Sequence, residues 1–240
     1  MSAKMHSSWL SVLAALGMLL VPVADAVAQQ RQPRAVKPSR VEIGGGVGWV
    51  GQSDAGTRDA TFTGNQPGAE PDPFVFFQVN GRTSSGLVGS GWVGFNVTDS
   101  VGIEAGFAYS QPSLRTDITA DVEGAPPTSI VTTTFTQTQV EGNVLYHFNR
   151  ARFDNDKTVP FLFAGAGVLT QRDSDDGIDE TGQIYQAGIG FKWFSRVEQL
   201  RAKGVGVRLD VRYVLRDGGV DYSEGWRSFV AINATTTFAF

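Results

Sequence analysis

From residue 41 to the end of the chain, apolar and polar side chains alternate with a period of two. Val41, Ile43, Val47 and Trp49 share one phase of the first segment, 41–51. Leu87, Val93, Phe95 and Val97 share one in 87–98, and Val101, Ile103, Ala105, Phe107 and Tyr109 in 101–110. The phase then shifts to even positions, with Val140, Val144, Tyr146 and Phe148 together. The fifth segment, 159–170, is apolar on both faces, and Phe161, Phe163 and Leu169 define one of them. Tyr185, Ile189, Phe191 and Trp193 mark the sixth, and 205–216 is the most regular, with Val205, Val207, Leu209, Val211, Tyr213 and Leu215. Trp226, Val230, Ile232, Phe238 and Phe240 mark the eighth. Alternation of this kind predicts strands, and no window repeats at the spacing of a helix. Each segment is about ten residues or longer, which is the length needed to cross a bilayer as a tilted strand and exceeds the usual strand of about 5–6.

The connections alternate as well. Long polar stretches at 53–85 and 111–128 and the acidic stretch at 171–182 fall on one side, with the loop 217–225. The short turn 98–100 and the medium connections 149–158 and 195–204 fall on the other, together with both chain ends. Long loops on one side and short turns on the other are the pattern of a transmembrane barrel. The expected fold is all-β: an eight-stranded antiparallel up-and-down transmembrane β-barrel over residues 40–240. Residues 1–28 are expected to be a signal peptide, with Lys4 before the apolar run "WLSVLAALGMLLVPV" and cleavage after Ala26 or Ala28. Residues 29–39, polar and carrying two prolines, are expected to be a flexible periplasmic lead-in.

Charge decides what surrounds the barrel. The apolar faces named above hold no Asp, Glu, Lys or Arg, whereas Glu42, Glu104, Glu141, Lys192, Arg208, Asp210, Arg212, Arg216 and Arg227 all lie on the opposite phase. Eight strands close into a barrel whose interior side chains just fill. A water-soluble barrel with these charges inside would show solvent an apolar wall far larger than monomers expose. In lipid the arrangement is favourable, because a charge facing lipid at mid-depth costs about 2–4 kcal/mol. Glu42, Glu104, Glu141, Lys192, Arg208, Asp210 and Arg212 are therefore expected to form a luminal charge network, which either plugs the barrel or lines a path for small solutes. Trp49, Tyr109, Phe148, Trp193 and Trp226 stand near strand ends, as an aromatic girdle would.

Composition removes other chemistry. The net charge of −4 gives no basic footprint for nucleic acid, and the absence of cysteine excludes disulfides and thiolate metal sites. "GVGWVG" (46–51) and "GSGWVG" (89–94) fit a dinucleotide-binding pattern, but they sit inside alternating segments with no helix after them. The acidic run "DSDDGIDE" (173–180) lacks the spacing of a calcium loop and reads as solvated. His147 is the only histidine beyond the signal peptide and has no nucleophile beside it in "YHFN". No catalytic residue, metal or cofactor is expected.

Together with the signal peptide and the alternating segments, the last segment, "NATTTFAF", resembles that of small outer-membrane barrels of the OmpA transmembrane-domain and OmpX type. The resemblance covers about residues 40–240. It implies that Phe240, with Phe238 two residues earlier, serves as the signal read by the barrel-assembly machinery. Thr235 stands where the family often has glycine. It also implies a bacterial outer-membrane location with both termini periplasmic, and contact with outer-membrane lipid and lipopolysaccharide. The expected function is a non-enzymatic, structural or surface-interaction role through acidic extracellular loops. The alternatives are a narrow channel or ligand-entry barrel and, less in keeping with the residues, a lipid-modifying enzyme. The sequence names no extracellular partner.

Overall fold

The computed structural model describes residues 39–62, 74–119, 126–154, 157–173, 179–195 and 204–240. The expected signal peptide and nearly all of the lead-in lie outside them. Among the described residues eleven strands form in chain order: β1 (Val41–Val50), β2 (Ser53–Phe62), β3 (Phe74–Thr83), β4 (Gly86–Asn96), β5 (Val101–Ser110), β6 (Ser113–Thr119), β7 (Thr128–His147), β8 (Thr158–Asp173), β9 (Asp179–Ser195), β10 (Gly204–Gly218) and β11 (Trp226–Ala239).

Eight of these strands close a barrel in the order β1, β4, β5, β7, β8, β9, β10, β11 and back to β1, all antiparallel. The β1–β11 seam sets Ile43 opposite Phe238, and the Phe240 amide donates to the Val41 carbonyl at 2.9 Å. Closure leaves the barrel no open edge, which is what lets strands sit in lipid. The alternation of the sequence becomes an apolar outside: Ile43, Val93, Phe107, Val144, Ile189, Val211 and Ile232 are all exposed there.

The fifth alternating segment faces the other way from expectation. Phe161, Phe163 and Leu169 are buried inside the barrel, and the outer face of β8 is carried by Leu162, Ala164, Ala166 and Val168. Both faces of this segment are apolar, so periodicity could not choose between them. The rings stay inside because the cations of the lumen lie over them, with the Arg208 guanidinium 4.8 Å from the Phe161 ring and Arg212 5.1 Å from that of Phe163.

The connections 53–85 and 111–128 are not plain loops. They carry β2, β3 and β6, which pair in the order β2–β3–β6 and then join the first part of β7. The result is a second, four-stranded sheet at the long-loop end of the barrel. A short 3-10 turn, Asn149–Ala151, follows β7 at the short-turn end.

Candidate functional site

The lumen is filled in layers. Nearest the short-turn end, Lys192 Nζ lies 2.5 Å from Glu42 Oε2 and 3.2 Å from His147 Nε2, and Asn96 donates to the other Glu42 oxygen at 3.1 Å. Next comes a chain of ion pairs. Arg208 Nη1 meets Glu104 at 2.5 Å and its Nε meets Asp210 at 3.0 Å. Arg212 bridges Asp210 at 2.8 Å and Glu141 at 2.9 Å. Neutral side chains complete it: Asn233 donates to Asp210, Asn143 to Glu141, and Gln186 to Asn143 at 2.7 Å. Burying one charge alone is costly, and such groups are tolerated only when paired and hydrogen-bonded on most sides.

The wall opposite supplies the room. β1, β4 and β5 turn small residues inward. A side chain at Gly44 would come within 2.6 Å of the Trp92 indole nitrogen, and one at Gly106 within 2.9 Å of Glu141 Cγ. Trp92 itself lies between β1 and the cations, with Arg208 4.8 Å from its ring. In the stretch 46–51, Gly46 and Gly48 likewise leave no room for a side chain beside β11, so these glycines serve close packing inside a sheet. A pocket beside the ion pairs is lined by Ser90, Trp92, Glu104, Arg212 and Asn233.

Above the charges sits an apolar layer of Leu169, Ile184, Val214 and Phe229, with Val50 packed against it. A polar layer caps it at the long-loop end. Gln171 donates to Gln137 at 2.8 Å and accepts from the Val220 amide at 2.6 Å, which folds the 219–225 loop over the mouth. Asp221 of that loop lies 2.5 Å from Arg216 Nη2 and 3.7 Å from Arg227 Nε. Burial pushes the Asp221 carboxyl up to about 6, against the pull of both guanidiniums. A second apolar cluster, Ala55, Leu114 and Phe135 with Val220 and Tyr222, fills the space beneath the second sheet.

The seven residues of the expected charge network thus fall into two connected groups, Glu42 with Lys192, and Glu104, Arg208, Asp210, Arg212 and Glu141. Sequence reasoning passed over Trp92, Asn143, Gln186 and Asn233. Their inward phase was a usable signal, since polar side chains recur there opposite an apolar face. It also passed over Asp221 as a partner for Arg216, which only the folded loop brings near. Trp49, Tyr109, Trp193 and Trp226 are exposed on the barrel exterior, and Phe148 lies half-buried just past β7 with its ring 5.2 Å from that of Tyr146. Phe238 and Phe240 are exposed on the exterior beside β1. Most of the acidic run 173–180 lies outside the described residues; at its edges Arg172 and Asp179 form an ion pair at 2.9 Å.

A closed barrel that is apolar outside and ion-paired inside defines an integral protein of the bacterial outer membrane. The chain belongs to the outer membrane protein beta-barrel domain family, whose model matches residues 11–236. No curated protein matches it. Among solved structures it is similar to Neisserial surface protein A (NspA), at 12% identity over 83% of this chain and 97% of that one, with a TM-score of 0.45. It is also similar to the outer membrane protein OprG from Pseudomonas aeruginosa, at 13% identity over 85% and 94%, with a TM-score of 0.46.

Proposed function

We propose that this barrel is a non-conducting, non-enzymatic surface protein that presents its second sheet and acidic loops to the cell exterior. The observation that carries the reading is the stack of filled layers in the lumen. An ion crossing it would have to part Arg208 from Glu104 and Asp210, and then pass Leu169, Ile184, Val214 and Phe229. The second sheet adds a polar outer face above the barrel, with Thr57, Asn80, Gln78 and Asp59 joined across strands. In this reading both chain ends face the periplasm, the exposed Trp and Tyr residues anchor the barrel at the two interfaces, and lipopolysaccharide surrounds the loop end. Phe238 and Phe240 present the assembly signal. Recording in planar bilayers tests the central point. The expected result is a flat trace, and well-resolved, reproducible conductance steps from the purified protein would overturn it.

A further inference from the structure

The two ends of the barrel carry opposite charge. At the loop end the connections 53–85, 111–128, 171–182 and 217–225 hold fifteen Asp or Glu against four Lys or Arg. At the short-turn end 98–100, 149–158 and 195–204 hold six Lys or Arg against four acids, and 29–40, which leads into β1, adds four cations and no acid. Three of these cations, Arg150, Arg152 and Lys157, stand in the one turn between β7 and β8. None of the three meets a carboxylate among the described residues. Arg152 donates to Asn149 Oδ1 at 2.7 Å, and its Nε is buried with no acceptor. Arg150 and Lys157 are exposed.

The turn is tied to the outer wall of the barrel at its aromatic belt. Asp154 adopts a φ of 54°, a left-handed conformation that Asp tolerates, and its carboxylate accepts from the Trp193 indole N–H at 3.0 Å. That acid is therefore engaged by a lipid-facing side chain and not by the cations. The Phe194 amide donates to the Lys157 carbonyl at 2.9 Å, and Phe153 bridges Thr158, which fixes the rest of the turn. Asp156 lies outside the described residues; with it counted, the turn still holds three cations against two acids. Phe153 is 54% exposed, an apolar ring among unpaired cations next to the belt. Guanidinium and ammonium groups pair with phosphate, and each Lys or Arg close to an anionic lipid surface strengthens attachment about fivefold. We propose that this turn binds an anionic phospholipid of the inner leaflet, with Arg150, Arg152 and Lys157 holding the headgroup phosphate and Phe153 against the acyl chains beside Trp193. A zwitterionic phospholipid fits less well, because its ammonium group would meet the same cations. The proposal rests on the reading that the short-turn end faces the periplasm, where the leaflet is phospholipid; lipopolysaccharide then lies beside the acidic loops.

Native mass spectrometry of the full-length mature protein tests it, with the protein released from micelles that hold equal amounts of phosphatidylglycerol and phosphatidylethanolamine with matched acyl chains. Phosphatidylglycerol is expected to be retained in preference. Arg150→Gln and Lys157→Gln, both at exposed positions, should each reduce that preference about fivefold, and the triple change with Arg152→Gln should erase it. Arg58→Gln, an exposed cation at the loop end, should leave it unchanged. Phe153→Ala should lower retention of both lipids and keep their ratio. Inorganic phosphate added in excess should not displace the lipid, because it has no chains to set against Phe153. The gel-mobility shift between boiled and unboiled samples confirms that each variant is folded. Equal retention of the two lipids, an undiminished preference in folded Arg150→Gln and Lys157→Gln proteins, an equal loss in Arg58→Gln, or full displacement by inorganic phosphate would each overturn the proposal. Micelles have no sides, so such a failure leaves the periplasmic placement of this end standing. Cleavage of the turn by external protease in intact cells would instead overturn that placement, and with it the leaflet assigned to the lipid.

Discussion

The strand β7 runs through both sheets of the molecule, and its polarity inverts on the way. In the barrel its outward residues are Val140, Val144 and Tyr146, and its inward ones are Gln137, Glu141 and Asn143. Higher up, the inward residue is Phe135, 2% exposed, and Thr134 is exposed on the outside. The second sheet follows the same rule as this upper part. It covers Ala55, Leu114 and Phe135 and turns Thr57, Asp59 and Thr134 outward. One backbone geometry therefore serves two surroundings. Where lipid is outside, polar groups must pair within the lumen; where water is outside, the usual apolar core returns. The inward phase changes from polar to apolar between Gln137 and Phe135, where β7 passes from pairing with β5 to pairing with β6.

The largest expected effect lies in the inverted part. Arg208→Met removes the cation paired with Glu104 and one of the two paired with Asp210, which keeps Arg212, and so leaves the Glu104 carboxylate unpaired in a closed lumen. Breaking a buried pair by deleting one member costs about 3–5 kcal/mol. Urea unfolding of the barrel in lipid vesicles should show that loss. The triple change Arg208→Met, Glu104→Gln and Asp210→Asn should recover most of it, since the cost comes from charges left without partners. A single change with no loss would mean that water reaches this layer freely.

How much of this is legible without coordinates follows from the same contrast. A barrel strand announces itself because lipid demands an unbroken apolar phase, so Ile43 to Trp49 or Val205 to Leu215 can be read directly. Polar residues on the other phase then fall in the lumen, as Glu104 and Asp210 do. The phase of 159–170 was not legible, because Phe161 and Phe163 are held inside by cations from another strand. Strands β2, β3 and β6 were not legible either. They need no apolar exterior, and their few inward residues, such as Ala55 and Leu114, are too sparse to show a period. The Arg216–Asp221 pair depends on the 219–225 loop folding back over the mouth, a tertiary event that local pattern does not record.

The water-facing part should fail locally where the barrel fails as a whole. Phe135→Ala empties the cluster beneath the second sheet, and such truncations cost about 3–5 kcal/mol when the site cannot collapse. This site is bounded partly by loop residues Val220 and Tyr222, which can move inward, so the loss should sit at about 3 kcal/mol, the lower end. Limited proteolysis should then cut the connections of the second sheet in folded protein, while the barrel core stays resistant. Simultaneous loss of the barrel would mean that the two sheets fold as one unit.

The sharpest test places the same residue on the two outer faces. Ile189 sits between Tyr185 and Trp193 on β9, opposite Leu162 and Val211, and is 69% exposed. Arginine there should cost about 2–4 kcal/mol, since the side chain must reach an interface from mid-depth. Gln78 stands on the outer face of the second sheet, where it donates to Asp59 at 2.9 Å. Arginine there keeps a donor beside that carboxylate, already surrounded by water, and should change stability by no more than about 0.5 kcal/mol. Measured side by side in vesicles, the difference between Ile189→Arg and Gln78→Arg reports the surroundings of the two sheets and nothing about strand geometry, which they share. Equal penalties would place both faces in one solvent and remove the physical basis for the inversion along β7.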